Sequence, residues 1–224
     1  MTFSISARCP RTGQFGIAVS SSSPAVAARC AHARAGVGAV ATQNITDPTL
    51  GPKGLELMAA GLSAPQALAR LAAEGAHIDY RQIALVDTEG RTAGFSGGKT
   101  LGTHHIAEGE GVVAAGNLLA SKHVPQAMIE AFAAAPGPLG DRLVAAMQAA
   151  LIAGGEEGPV HSVGMLIVDK VAWPVADLRV DWHDSDPIGA LAALWELWKP
   201  QMDAYVTRAL DPSTAPSYGV PGDE

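Results

Sequence analysis

Thr2 is where chemistry can begin in this chain. The first eight residues, Met1-Thr2-Phe3-Ser4-Ile5-Ser6-Ala7-Arg8, alternate apolar and hydroxyl side chains, so the chain opens as a half-buried strand. On removal of Met1, Thr2 would carry a free α-amine beside its own Oγ, which puts a nucleophile and its base in one residue. An α-amine titrates at about 8, so it can act as a base at neutral pH without extensive tuning. Other polar residues gather where further apolar strands are predicted to begin or end. Ser20, Ser21 and Ser22 lie in a serine run after a second strand, Gln43 and Asn44 follow a small-residue strand, and Asn117 follows another. His161 opens a later strand, Arg179 and Asp181 line the charged face of the last one, and His183 comes just after it. Loops at the ends of a rigid scaffold carry function, so these are the candidate site residues.

The elements that must position them follow from patterning. Residues 2–8 and 14–20 form a hairpin about Pro10-Arg11-Thr12-Gly13. Ser23 as N-cap and Pro24 at the first helical position predict a helix over residues 24–34, whose start would line a polar or anionic site. A strand follows at 36–42, then helices at 48–60 and 64–73, the second capped by Ser63. Residues 81–87 and 91–95 make a second hairpin, His104-His105 fall in a loop, and 111–116 form another buried strand. Helices are predicted over 124–135, with Met128 and Phe132 on one face, and over 139–153. The strand at 160–170 is apolar on both faces and therefore central. In the strand at 175–182, Leu178, Val180 and Trp182 point inward, opposite a ladder of Asp177, Arg179 and Asp181. One long helix is expected over 188–210, with Leu191, Leu194, Trp195, Trp198 and Met202 along a stripe. Residues 1–210 read as a single domain and 211–224 as a Pro/Gly-rich C-terminal tail. Hairpins that alternate with helix pairs predict an α+β fold: two stacked antiparallel sheets with helix layers outside, a four-layer αββα sandwich.

Composition narrows the function. With 48% hydrophobic and 17% charged residues, the 224-residue chain can build a sizeable core. The net charge of −7 and the lack of a Lys/Arg cluster argue against nucleic acid as a partner. No apolar run is long enough to span a membrane, and the N-terminus lacks the pattern of a signal peptide. Two distant cysteines, Cys9 and Cys30, then suggest reduced thiols and a cytoplasmic location. Ser96-Gly97-Gly98-Lys99-Thr100 lacks the spacing of a phosphate loop. No cofactor is expected.

The chain also resembles a bacterial and archaeal family of unknown function within the N-terminal nucleophile (Ntn) hydrolases. The stretches that carry the resemblance are residues 1–5, Ala35-Gly36-Val37-Gly38-Ala39-Val40-Ala41-Thr42-Gln43, Gly51-Pro52-Lys53-Gly54-Leu55-Glu56-Leu57, Tyr80-Arg81-Gln82, Gly116-Asn117 and Asp177-Leu178-Arg179-Val180-Asp181. It covers residues 1 to about 183. The resemblance implies an Ntn-type amidohydrolase acting on a small-molecule C–N bond. Thr2 Oγ would attack the carbonyl, and Asn117, then Gln43 and Asn44, would donate to the oxyanion, each such donor being worth ~3 kcal/mol. Ser20 and Ser21 would orient the amine, while His161, Arg179, Asp181 and His183 would complete the cleft or hold a charged substrate. Ser22 stands where many members carry a basic residue, and Cys9 where an aspartate is more usual.

Two other readings compete. One is a non-catalytic protein that holds a small ligand with the Ser20–Ser23 loop and Asn117. The other is a metal-assisted hydrolase built from His161, His183, Asp181 and His104 or His105, although adjacent histidines on a loop are a weak metal signal. The aromatic helix near the C-terminus adds the expectation of a homodimer or higher homo-oligomer.

Overall fold

Alternation decides which way each strand faces. The computed structural model describes residues 1–220. In chain order its elements are β1 (Thr2–Arg8), β2 (Phe15–Ser21), α1 (Ala27–Cys30), β3 (Ala31–Arg34), β4 (Gly38–Asn44), α2 (Leu50–Ala59), α3 (Ala64–Glu74), β5 (Arg81–Asp87), β6 (Thr92–Ser96), β7 (His105–Gly109), β8 (Val112–Asn117), α4 (Val124–Ala134), α5 (Leu139–Ile152), β9 (Ser162–Val168), β10 (Ala176–Val180), α6 (Pro187–Trp198) and α7 (Met202–Leu210). The fold is α+β. A six-stranded sheet runs β10-β9-β2-β1-β8-β7 and a four-stranded sheet runs β3-β4-β5-β6, with antiparallel neighbours throughout.

On β1, Phe3, Ile5 and Ala7 join the largest core with Met128, Phe132, Leu143, Leu191 and Trp195, so helices α4, α5 and α6 cover that face of the large sheet. Helices α2 and α3 cover the small sheet through Leu50, Leu55, Leu68 and Leu71 against Val40, Ile83 and Leu85. Between the sheets the residues are small: Ala41 and Ala84 meet Val113 and Ala115, and Ala39 and Val86 meet Phe15 and Ile17. Alanine there lets two backbone layers approach closely, at the cost of less apolar area per residue. At the N-terminus of α3, Ser63 and Gln66 form a reciprocal capping box.

Several expectations change. The helix over 24–34 shrinks to the single turn α1, because Ala25 is left-handed (φ 51°) and the chain then enters β3. Alanines hide β3 from pattern reading: Ala31 and Ala33 pair with Ala41 and Ala39 without a β-branched side chain among them. His105 opens strand β7 instead of lying in a loop. The long C-terminal helix breaks between α6 and α7, where Pro200 follows Lys199 and cannot donate to the helical ladder. Trp195 and Trp198 turn inward, donating to Asp141 Oδ1 and to the Val175 carbonyl. That accounts for much of the aromatic stripe within one chain. Trp182 is 51% exposed, because β10 ends at Val180 and its alternation stops there. The first part of the tail folds back on α7, where Arg208 donates to the carbonyls of Pro216 and Ser217. The expected tail's last residues, 221–224, lie outside the described residues. No helix among the described residues is long and apolar enough to cross a membrane. Cys9 and Cys30 are buried and unbridged.

Candidate functional site

Strand register collects the hydroxyl and amide residues at one end of the large sheet. Asn117 lies opposite Thr2, and Ser162 lies opposite Ser21, on adjoining strands. Ser162, Ser21, Thr2 and Asn117 thus cross four strands in a row at the start of β1. The Ser21 Oγ donates to the Met1 carbonyl at 2.5 Å and is 2.8 Å from Ser23 Oγ. Ser162 Oγ donates to the Ser23 carbonyl and accepts from the Val26 amide, which fixes the serine loop onto β9. Arg29 holds the same loop from the other side through Ser23 Oγ and the Pro24 and Ala25 carbonyls.

Facing this row, a chain of amides joins the two sheets. The Gly116 carbonyl can only accept, so the group facing it at 3.0 Å must be Gln82 Nε2. Gln82 Oε1 then accepts from Gln43 Nε2 (2.7 Å) and Asn117 Nδ2 (3.2 Å). Gln43 Oε1 is left to accept from Ser4 Oγ at 2.7 Å. The logic orients every amide, and it leaves Asn117 Oδ1 buried without a partner among the described residues.

Glu156 completes the constellation. It lies just after Gly154-Gly155, where the Leu118 carbonyl accepts from the Glu157 amide and the Gly155 carbonyl accepts from the Ala120 amide. Leu118 itself is left-handed (φ 51°), an uncommon conformation for a branched side chain. Glu156 is 5% exposed; its Oε2 accepts from the Ser22 amide at 3.2 Å, and its Oε1 has no partner among the described residues. Burial pushes its carboxyl up to about 7, against the opposing pull of the N-terminal amine and the Ser22 amide. Two buried oxygens, on Asn117 and Glu156, thus lie at the same end of the sheet without a donor among the described residues.

The family model for a family of unknown function, DUF1028, matches residues 2–191. The chain belongs to the DUF1028 family. It is similar to protein SPO2555 from Silicibacter pomeroyi, whose crystal structure carries the same family model, with 30% identity over 88% of each chain and a TM-score of 0.82. It is also similar to Anbu (ancestral beta-subunit) from Yersinia bercovieri, at 10% identity over 91% of this chain and 97% of that one, with a TM-score of 0.38. No curated protein matches.

Membership in DUF1028 does not rescue the N-terminal nucleophile. Thr2 is 5% exposed, it is paired inside the large sheet, and its Oγ donates to the Met1 carbonyl. Catalysis by this route needs a solvent-exposed residue 2, so the reading as an amidohydrolase of the Ntn type is overturned. The strand itself was expected, but as half-buried, and residues 2–7 are buried on both faces. The pattern could not show that its hydroxyl face would be sealed by the second sheet.

The other candidates divide into three groups. Ser21, Ser22, Asn117 and, through Gln82, Gln43 come together as described. Ser20 points to the other face of the sheet and donates to the Ser162 carbonyl. Asn44, at φ 75°, braces loops, donating to the Tyr80 carbonyl and accepting from the Leu101 amide. His161 sits beside the site: its amide donates to the Ser21 carbonyl and its ring stacks on Trp182 with centroids 4.3 Å apart. His183 Nδ1 accepts from the Ser185 and Asp186 amides ahead of α6. Arg179 and Asp181 are exposed, and Arg179 is paired with its neighbour Asp177 at 2.8 Å. Among the described residues no three His, Cys, Asp or Glu side chains gather as a metal site would require. Sequence reading missed Glu156 and Gln82. Gly154-Gly155-Glu156 looked like a helix stop, and Gln82 looked like an ordinary strand residue. A polar residue inside an apolar run was the one available signal for Gln82.

Proposed function

We propose that the chain is a small-ligand-binding protein whose site lies at the strand ends around Ser21, Ser22, Asn117 and Glu156. The observation that carries this reading is the pair of buried oxygens, Asn117 Oδ1 and Glu156 Oε1, without donors among the described residues. A buried polar atom left unpaired costs about 1–3 kcal/mol, so a fold that keeps two beside each other's loops is built to receive donors. The matching ligand is a small neutral or amphoteric molecule rich in N–H or O–H groups. A fixed anion is the wrong complement for Glu156. The positive backbone angles at Ala25, Asn44 and Leu118, each at or just beyond a strand end, are the strain expected where a scaffold fixes a site. Helices on both outer faces also support the four-layer αββα description of the scaffold.

The test is thermal unfolding with donor-bearing probes (ethanolamine, acetamide, ethylene glycol) against acceptor-only probes (acetone, dimethyl sulfoxide). Donor-bearing probes raise the midpoint in wild type, and the rise disappears in Asn117→Ala and Glu156→Gln. Equal effects from both probe sets, or a rise that survives both substitutions, would count against the proposal.

A further inference from the structure

At the opposite end of β1 the structure offers a second site with different chemistry. Arg8 closes β1 as Thr2 opens it, which puts the two ends about 20 Å apart. A cavity of about 350 Å³ lies there, between the β5–β6 turn, the β7–β8 turn and α4, with Arg142 of α5 at its side. The turns meet through Gly90 and Gly111, both in the left-handed region (φ 77° and 66°), and a Cβ on Gly90 would sit 3.5 Å from the Gly111 Cα. Glu89 and Glu110 precede these two glycines and line the same cavity.

Arg142 is held in place. Its Nε donates to the Phe132 carbonyl at 2.9 Å, and its guanidinium lies 3.9 Å from the centroid of the Phe132 ring. This fixes the plane of the group and leaves its two terminal nitrogens without a hydrogen bond among the described residues. Arg8 lines the same cavity. Neither arginine, and neither Glu89 nor Glu110, belongs to an ion pair among the described residues. Two guanidiniums and two carboxylates thus line one space whose apolar lining includes Pro10, Ile129 and Ala133.

We infer that this cavity binds a small zwitterion with an aliphatic side chain. A planar guanidinium suits a carboxylate through parallel N–H bonds. The acidic rim takes the ammonium, and the apolar lining of Pro10, Ile129 and Ala133 takes the side chain. A simple anion pairs with the arginines but leaves the two rim glutamates unpaired, and a simple amine pairs with the glutamates but leaves the two arginines unpaired.

Isothermal titration with L-leucine, and with its half-molecules isovalerate and isoamylamine, decides the matter. L-leucine binds wild type at least about tenfold more tightly than either half-molecule, a difference of about 1.4 kcal/mol. Arg142→Gln weakens L-leucine by about tenfold. Because Arg142 also holds the Phe132 carbonyl, the exposed Glu110→Gln serves as the second variant and shows a loss of similar size in a fully folded protein. Absence of saturable L-leucine binding up to about 10 mM overturns the inference. So does isovalerate binding as tightly as L-leucine, or affinity unchanged in Glu110→Gln.

Discussion

Glu156 ionises out of step with its unfolded form, and this makes its role measurable. An unfolded glutamate loses its proton at about 4.3, whereas burial holds the folded one at about 7. Between these values the folded state keeps a proton that the unfolded state has shed. Stability therefore falls as pH rises from about 4.3 to about 7 and is level above, with a total cost on the order of 3 kcal/mol. Glu156→Gln removes the titration while its amide oxygen still accepts from Ser22. Denaturant unfolding should find the variant more stable than wild type by a few kcal/mol at pH 8 and no more stable at pH 4. A difference that does not change with pH would mean that Glu156 is not desolvated as described. A buried carboxyl that costs stability and serves no helix or strand fits a residue kept for binding.

Asp87 shows the same physics with the opposite sign at the level of elements. It ends β5, is 2% exposed, and accepts from the amides of Ala64, Glu89 and Arg91 and from the Arg91 guanidinium. It ties the β5–β6 turn to the first turn of α3. Burial alone would raise its carboxyl, but the hydrogen bonds from Ala64, Arg91 and Glu89 outweigh burial and hold it below the usual carboxylate range. Its contribution is present above about 4 and is lost as pH falls through the lower folded value. Asp87→Ala should cost about 3 kcal/mol in denaturant unfolding at pH 7, and less in acid. A cost below about 0.5 kcal/mol would show that the turn and the helix are not coupled through it. Ser63 was legible as the α3 cap because its signal is local, a hydroxyl three residues ahead of a glutamine. Asp87 was not, because the bond that ties it to α3 comes from Ala64, 23 residues away, while its other donors, Glu89 and Arg91, look like those of any turn. Strand β3 escaped for a related reason, since an alanine-rich strand gains its identity only from the neighbour it pairs with. Pro200, by contrast, is a local break, and the long apolar stripe around it outweighed it wrongly.

At the scale of the whole molecule, the two sheets are joined by alanine packing and by one buried polar chain, Ser4–Gln43–Gln82–Asn117. The two-sheet architecture was readable from alternating hairpins and helix pairs, but this chain was not, because its members lie on four different strands. Gln82→Ala would leave Gln43 Nε2 and Asn117 Nδ2 without the acceptor they share and the Gly116 carbonyl without its side-chain donor. It should destabilise by about 3–5 kcal/mol, near the top of what single substitutions do. A loss under about 1 kcal/mol would show that water replaces Gln82 readily and that the sheets are held by apolar contact alone. The same chain fixes the Asn117 side chain through its Nδ2, so the fold and the proposed site share one set of hydrogen bonds. The most direct test of that site is amide chemical-shift mapping of the wild-type protein titrated with ethanolamine. Shifts should concentrate at Ser22, Ser23, Asn117, Leu118, Glu156 and Glu157 and saturate together. Shifts spread over the surface, or centred elsewhere with these residues unmoved, would contradict the assignment of the site.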